Sequence, residues 1–138
     1  MDIIQSFDPA TQAATRPRIL LVEDEPMIRL HLKTLVERLG CAVIGPAADL
    51  ADAIKLAGDA DINAALLDVN LGGGDTSYPA ARLLRARRVP FAFVTSDPRF
   101  AVEAAMGRCD FVSKPFRATE IAACLKRLLS PVPAATGA

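Results

Sequence analysis

The fold is decided by one stretch near the middle of the chain, Ala64-Ala65-Leu66-Leu67-Asp68-Val69-Asn70-Leu71-Gly72-Gly73-Gly74. Its apolar run ends in a single carboxylate, that of Asp68, and then in a run of glycines. A buried strand that delivers one acid to the edge of a sheet has this pattern. For Asp68 alone, an ordinary turn residue at the end of a strand is the default interpretation. Residues elsewhere in the chain decide whether Asp68 is a functional acid at the sheet edge or an ordinary turn residue.

Size and composition predict one compact domain. The chain has 138 residues, is 51% hydrophobic and carries a formal net charge of +0 at pH 7, which gives no electrostatic case for nucleic acid or an anionic membrane as partner. Neither a membrane-spanning run nor a secretory signal is evident, so a cytoplasmic location is expected. Cys41, Cys109 and Cys124 lack the spacing of a disulfide framework or a zinc site, and we expect them to be reduced and mostly packed.

Strand and helix patterns alternate five times along the chain. Strands are expected at Arg18–Val22, Cys41–Pro46, Ala64–Asp68, Phe91–Thr95 and Asp110–Ser113. Helices are expected at Pro26–Leu39, from an Asp49 cap to Ala57, at Pro79–Arg87, at Ala101–Met106 after an Asp97-Pro98 cap, and at Ala118–Leu129. Residues 1–17 are expected to be a flexible lead-in, 18–129 the folded domain and 130–138 a flexible tail.

Helical spacing also predicts which side chains are buried and which are not. Ile54 is expected on the apolar face of the second helix. Phe100, Val102 and Met106 near the fourth helix are expected in the core, with the alternative that one of them lies exposed in a docking surface. His31 has no acid at partner spacing, so we interpret it as a surface or half-buried residue rather than a catalytic base. The arginines at the end of the third helix favour a solvated face, with partner docking second and nucleic acid third. They are Arg82, Arg85, Arg87 and Arg88.

Five apolar strands alternating with five helices predict a parallel sheet covered on both faces. Ligands of such sheets bind beyond the carboxyl ends of the strands, and the residues found there are Glu23, Asp24, Asp68, Thr95 and Lys114. A cluster of carboxylates favours a hard cation such as Mg²⁺, while a lysine and a threonine hydroxyl suit a phosphoryl group carried by an acid. Each residue alone is readily explained as an ordinary polar loop residue, but the set together is not.

Four motifs carry a resemblance to a known family: Leu21-Val22-Glu23-Asp24-Glu25, Leu66-Leu67-Asp68-Val69-Asn70-Leu71, Val94-Thr95-Ser96 and Phe111-Val112-Ser113-Lys114-Pro115-Phe116. With these motifs in this order and spacing, the chain from about Arg18 to Leu129 resembles the receiver domain of a two-component response regulator. The resemblance implies a flavodoxin-like (βα)5 fold, a doubly wound parallel five-stranded sheet in the order 2-1-3-4-5.

The resemblance also implies a role for each residue at the sheet edge. Asp68 would accept a phosphoryl group from a histidine kinase or a histidine phosphotransferase, and Thr95 and Lys114 would bind that group. Mg²⁺ would be held by Asp68, by Asp24 directly, by Glu23 directly or through water, and by the backbone carbonyl of Asn70. A cis peptide bond would join Lys114 to Pro115. Such a domain is a signalling module rather than an enzyme.

Two departures from the family pattern suggest a subgroup. Gly72-Gly73-Gly74 replaces the usual Leu-Pro-rich segment, and Phe111 stands at the aromatic switch position, where it lacks the hydroxyl of a tyrosine. With Pro90-Phe91-Ala92-Phe93-Val94-Thr95, the glycine run resembles the stand-alone alphaproteobacterial receivers with a Pro-Phe-x-Phe-x-Thr-Gly signature. Ser96 stands where that signature has glycine.

The leading hypothesis is a receiver without an output domain, which signals through an unknown protein partner or acts as a phosphate sink. One alternative is a constitutive interaction module that phosphorylation does not control. A less favoured alternative is an enzyme of the haloacid-dehalogenase-like phosphatase type, which would want a second acid where the chain has Asn70. A further alternative is that the sequence is the receiver piece of a longer regulator.

Overall fold

The computed structural model describes residues 16–130, so the predicted lead-in before residue 16 and tail after residue 130 lie outside the described part of the chain. The strands are β1 (Arg18–Val22), β2 (Ala42–Ala47), β3 (Ala64–Leu67), β4 (Phe91–Thr95) and β5 (Asp110–Ser113). The helices are α1 (Pro26–Arg38), α2 (Leu50–Asp59), α3 (Tyr78–Ala86), α4 (Arg99–Met106) and α5 (Ala118–Leu129). None of these helices is both long enough and apolar enough to cross a membrane.

All strand pairs in the sheet are parallel, and the strand order is β2-β1-β3-β4-β5. The predicted flavodoxin-like fold and strand order are therefore confirmed. The central strands are buried on both faces, which explains why they are continuous apolar runs rather than alternating ones. The sheet consequently exposes its polar residues at the two ends of the strands.

Two apolar layers cover the two faces of the sheet. One contains Ile19, Leu66 and Val94 and packs against residues of α1 and α5 such as Val36 and Leu125. The other layer, on the opposite face, is formed with α2, α3 and α4. Its members include Leu20, Leu67, Phe93, Ala53, Leu84 and Val102. Because alternate residues of the same strand enter opposite layers, both layers fix each strand in register.

Local signals predicted the start of α2 correctly but not that of α4. The Asp49 carboxylate accepts a hydrogen bond from the backbone N–H of Asp52, 2.9 Å away, as expected of a helix cap. The Asp97-Pro98 cap was wrong, because α4 starts at Arg99 after Pro98 and has no side-chain cap. Asp97 instead accepts a hydrogen bond from the side chain of Asn70.

Two predicted core residues are exposed. Phe100 is 77% exposed and Ile54 is 39% exposed. Phe100 lies within α4, two residues before the buried Val102, and is therefore on the opposite face of that helix. His31 is exposed as expected, and its ring stacks on that of Phe116. The predicted cis peptide bond between Lys114 and Pro115 is confirmed.

No disulfide joins the three cysteines. Cys41 and Cys124 are buried, while Cys109 is half-buried. Burial raises the pKa of the Cys124 thiol to about 11, so this thiol is protonated at neutral pH. The cysteines are thus mostly packing residues of the fold.

Candidate functional site

The backbone hydrogen bonds of the sheet continue past the strand ends and place the predicted site residues. The N–H of Asp68 donates to the carbonyl of Val22 at 2.8 Å, and that of Lys114 donates to the carbonyl of Thr95 at 2.9 Å. The N–H of Glu23 donates to Ala47 in the same way. Each residue therefore takes its position from a neighbouring strand rather than from a mobile loop.

Lys114 connects two of the acids. Its Nζ atom lies 2.7 Å from Glu23 Oε1 and 3.0 Å from Asp68 Oδ2. The side chains of Glu23, Asp68 and Lys114 are 1%, 10% and 14% exposed, so these charges are largely removed from water. Charge-assisted hydrogen bonds in such a place hold the three side chains in a defined arrangement.

Burial and hydrogen bonding shift the pKa values of Glu23 and Lys114. Burial raises the pKa of Glu23 above its ordinary value, while hydrogen bonds from the Lys114 ammonium and the Glu25 backbone oppose the shift. Burial alone would lower the pKa of Lys114, but its bonds to Glu23 and Asp68 outweigh burial and raise it. Lys114 is therefore firmly cationic beside the acids at neutral pH.

Three carboxylates meet at this edge of the sheet. Glu23, Asp24 and Asp68 each place one oxygen within 4.8 Å of the oxygens of the other two. Three negative charges and one ammonium leave a net charge of −2 if all are ionised, and within residues 16–130 the Asp24 carboxylate accepts no hydrogen bond. The oxygen-only set and its excess negative charge fit a hard divalent cation such as Mg²⁺.

The glycine loop after β3 passes close to these acids. A Cβ atom at position 72 would lie 3.5 Å from Asp24 Oδ2, and Gly72 has a φ of +79°. Glycine adopts this left-handed conformation without the strain that a side chain would bring. The loop thus brings backbone near Asp24 while leaving the carboxylate uncovered.

The remaining two predicted site residues lie on the neighbouring loops. Thr95 is fully buried, and its Oγ1 accepts a hydrogen bond from the N–H of Asp97 at 3.2 Å. Asn70 is exposed, and its Nδ2 donates to Asp97 Oδ1 at 2.9 Å. Asp97 therefore joins the loop after β3 to the loop after β4. Within residues 16–130, the Thr95 hydroxyl makes no hydrogen bond with Lys114 or the three acids, and only the Thr95 backbone carbonyl bonds to Lys114.

Two residues near the site escaped the sequence analysis. Arg29 on α1 donates from one guanidinium nitrogen to the backbone carbonyls of Glu23 and Asp24, at 3.2 and 3.1 Å, and so holds the acidic turn. Ser77, the residue before α3, has a buried hydroxyl that finds no hydrogen-bond partner among the described residues. Neither is part of a motif, so only their contacts reveal them.

Phe111, at the predicted switch position, is half-buried in β5. The Arg99 guanidinium lies 4.8 Å from the centre of its ring, within the range of a cation–π contact. Arg99 also approaches Glu103 at 3.7 Å. The ring is thus covered from α4 by a charged side chain.

Comparison with known proteins identifies relatives of the whole folded part. The family model described as the response regulator receiver domain matches residues 19–126. The Phyllosphere-induced regulator PhyR of Methylorubrum extorquens is 31% identical over 131 residues, covering 93% of this chain and 49% of PhyR. The chain therefore spans about half the length of this curated relative.

Two solved structures illustrate the likeness. SdrG from Sphingomonas melonis is 37% identical with a TM-score of 0.72, over 83% of this chain and 98% of that one. The receiver domain of the sensor histidine kinase PA1611 from Pseudomonas aeruginosa is 30% identical with a TM-score of 0.72, again over 83% and 98% of the two chains. That structure is described as having a magnesium ion coordinated in its active site cleft.

Proposed function

Because the chain belongs to the response regulator receiver domain family, we propose that it is a phosphorylatable signalling module whose acceptor is Asp68. The observation that carries this proposal is the buried contact of Lys114 with Asp68 and Glu23, beside a third carboxylate. An acid held next to a fixed cation is suited to accept a phosphoryl group, since the cation offsets the charge that arrives.

The transfer forms an acyl phosphate on Asp68. An oxygen of its carboxylate bonds to phosphorus while the P–N bond of a phosphohistidine donor breaks, and the leaving imidazole keeps that electron pair and takes up a proton. One oxygen of Asp68 is oriented by the N–H of Val69, at 2.7 Å, and the other faces Lys114. After transfer, the Lys114 ammonium is placed to bind a phosphoryl oxygen. A histidine kinase or histidine phosphotransferase would supply the donor.

The residues that would hold Mg²⁺ are Glu23, Asp24, Asp68 and the backbone carbonyl of Asn70. When bound, this ion would neutralise negative charge on the acids and on the incoming phosphoryl oxygens. The carboxylate cluster and the magnesium of the related PA1611 receiver domain support the assignment. Of the three carboxylates, that of Asp24 is the most available to Mg²⁺, because it has no hydrogen-bond partner within residues 16–130.

Phosphorylation would be read by another protein through the surface of α4, β5 and α5. Thr95 is the last residue of β4, and α4 begins four residues later, at Arg99. Its hydroxyl would bind the phosphoryl group, and this movement would pull the loop between β4 and α4 towards the site. Phe100 is 77% exposed on α4 and is placed to report such a change. Alternatively, the protein would act as a phosphate sink: Asp68 would accept the phosphoryl group in the same way, but no partner would bind the phosphorylated form.

The chain matches 98% of SdrG and equally 98% of the receiver domain of the sensor histidine kinase PA1611, so a receiver without an output domain stays a prediction. A phosphatase-like enzyme finds no support in the site, because Asn70 offers an amide, bonded to Asp97, where such an enzyme wants an acid. Membership of the glycine-loop subgroup and a cytoplasmic location stay predictions.

The proposal is tested by intact mass after incubation with Mg²⁺ and acetyl phosphate, a small phosphodonor. We expect the wild type and Asp75→Ala, a control in the exposed glycine loop, to gain one phosphoryl group. Asp68→Ala, or wild type without Mg²⁺, should not gain it. Where acetyl phosphate fails, Mg²⁺-dependent binding of beryllofluoride would still support the proposal. Absence of both would overturn it in favour of a constitutive interaction module.

A further inference from the structure

A second charged region lies at the opposite edge of the sheet, where β4 and β5 begin. An open cavity of about 430 Å³ is formed there between the end of α3, the starts of the two strands and the end of α5. Its lining includes the apolar side chains of Val89, Phe91 and Leu128 and the arginines Arg85, Arg88 and Arg108. This volume is in the range of small-ligand sites.

The charges of this cavity are not balanced. Asp110 is the one acid of the lining, and its carboxylate pairs with Arg127 at 3.2 Å. Within residues 16–130, the side chains of Arg88 and Arg108 make neither an ion pair nor a hydrogen bond. Three guanidinium groups around one concave surface therefore present unpaired N–H donors to solvent. Arginine forks of this kind match the paired oxygens of phosphates and carboxylates.

Arg85 is held in place for such a contact. One of its guanidinium nitrogens donates to the carbonyl of Met106 at 2.7 Å, and the group lies 5.4 Å from the centre of the Phe91 ring. A guanidinium fixed by its neighbours loses little freedom when it binds a ligand. The remaining donors of Arg85 are consequently preorganised.

Arg88 occupies a backbone position that favours glycine. It follows α3 with a φ of +62°, the one positive φ of a non-glycine residue within residues 16–130. Its N–H donates to Arg85 and the N–H of Val89 donates to Leu84, which is the Schellman arrangement that ends helices. Arginine is less favourable than glycine in this conformation, and its side chain lies in the lining of the cavity.

We propose that this cavity binds a small organic phosphate, whose oxygens pair with Arg85, Arg88 and Arg108 while its organic part lies against the apolar lining. The site is separate from the acids and goes beyond the phosphorylation proposed above. We choose an organic phosphate over an extended acidic segment of a protein because all three arginines line one cavity of about 430 Å³, the size of a small-ligand site.

The test is calorimetric titration of the protein with ADP and with adenosine, without Mg²⁺. ADP should bind at one saturable site and adenosine far more weakly, since adenosine lacks the phosphates. Arg108→Ala and Arg88→Gly should each weaken ADP binding at least about tenfold, the loss expected for one charge-assisted pair. Arg82→Ala is the matched control, because Arg82 is exposed on the same helix but does not line the cavity. Asp68→Ala should also bind ADP normally.

Arg88→Gly separates a binding role from a structural one. Glycine relieves the strain of the left-handed backbone, so this variant should unfold at a higher temperature than wild type even as it loses ADP. No saturable binding of ADP in the millimolar range would overturn the proposal. Equal weakening by Arg82→Ala would also overturn it, because the attraction would then come from general surface charge.

Discussion

The two ends of the sheet carry charges of opposite kind that are held in opposite ways. At the carboxyl end, three acids and Lys114 lie within hydrogen-bond or metal-ligand distance and are largely buried. At the amino end, arginines surround an open cavity, and its one acid pairs with an exposed arginine outside. The first set is placed by strand ends, and the arginines of the second by the end of α3 and by the turn between α4 and β5.

This difference has a physical consequence. Charges at the carboxyl end have left water and depend on one another, so losing one changes the energy of the rest. Charges at the amino end keep their water until a ligand arrives, so losing one should change binding but hardly folding. Variants at the two ends therefore test whether the distinction holds.

The largest effect is expected from Lys114→Met, which leaves Glu23 and Asp68 without their buried counter-ion. Without Mg²⁺, we expect the free energy of unfolding to fall by about 3 kcal/mol. Arg127→Met is the matched control, since it breaks the exposed pair with Asp110 and should cost less than about 1 kcal/mol. Urea unfolding measures both. Equal losses would mean that the two ends do not differ in this way.

A smaller effect concerns pH. Because burial raises the pKa of Glu23 above 4.5, its contribution to stability is complete below pH 4.5 and is lost as the pH rises through the raised pKa. Glu23→Gln removes this dependence, so its stability should increase relative to wild type as the pH rises above 4.5. Urea unfolding across this range measures the change. Glu37→Gln, at an exposed glutamate paired with Lys33, should show a smaller change, and an equal one would contradict the prediction.

The smallest effect is expected at Ser77, close to the acids but uncharged. Its buried hydroxyl has no partner within residues 16–130, so Ser77→Ala removes a polar group without breaking a hydrogen bond. The free energy of unfolding should stay constant or rise by up to about 1 kcal/mol. Ser96→Ala, at an exposed serine, should change it less. A clear loss of thermal stability in Ser77→Ala would show that the hydroxyl has a partner after all.

The carboxyl end could be predicted from sequence because strand ends decide it. Once five apolar runs alternate with helices, a parallel sheet brings the residue after each run to one edge, so Asp68, Asp24 and Lys114 had to approach one another. Their exact contacts were less accessible. Which acid Lys114 contacts depends on side-chain positions that no sequence spacing encodes, and the partner of Asp97 proved to be Asn70 rather than a helix end.

The amino end could not be predicted in the same way. Four arginines near the end of one helix read as a solvated face, since spacing alone does not show what lies opposite them. In the fold, Arg85 binds the Met106 carbonyl from another helix, and Arg87 donates to carbonyls at the end of α2. These contacts join residues 21 to 30 positions apart. Tertiary packing, rather than local pattern, decides their roles.

Helix α3 links the two ends. It begins after Ser77, whose N–H donates to Val69 beside Asp68, and it ends at the arginines, roughly 13 Å away for a helix of nine residues. Thermodynamic linkage makes any coupling between ligands at the two ends reciprocal. Whatever factor an anion at the arginines applies to Mg²⁺ affinity at the acids, Mg²⁺ must apply to the anion. Two titrations, each repeated with the other ligand present, would close that thermodynamic cycle.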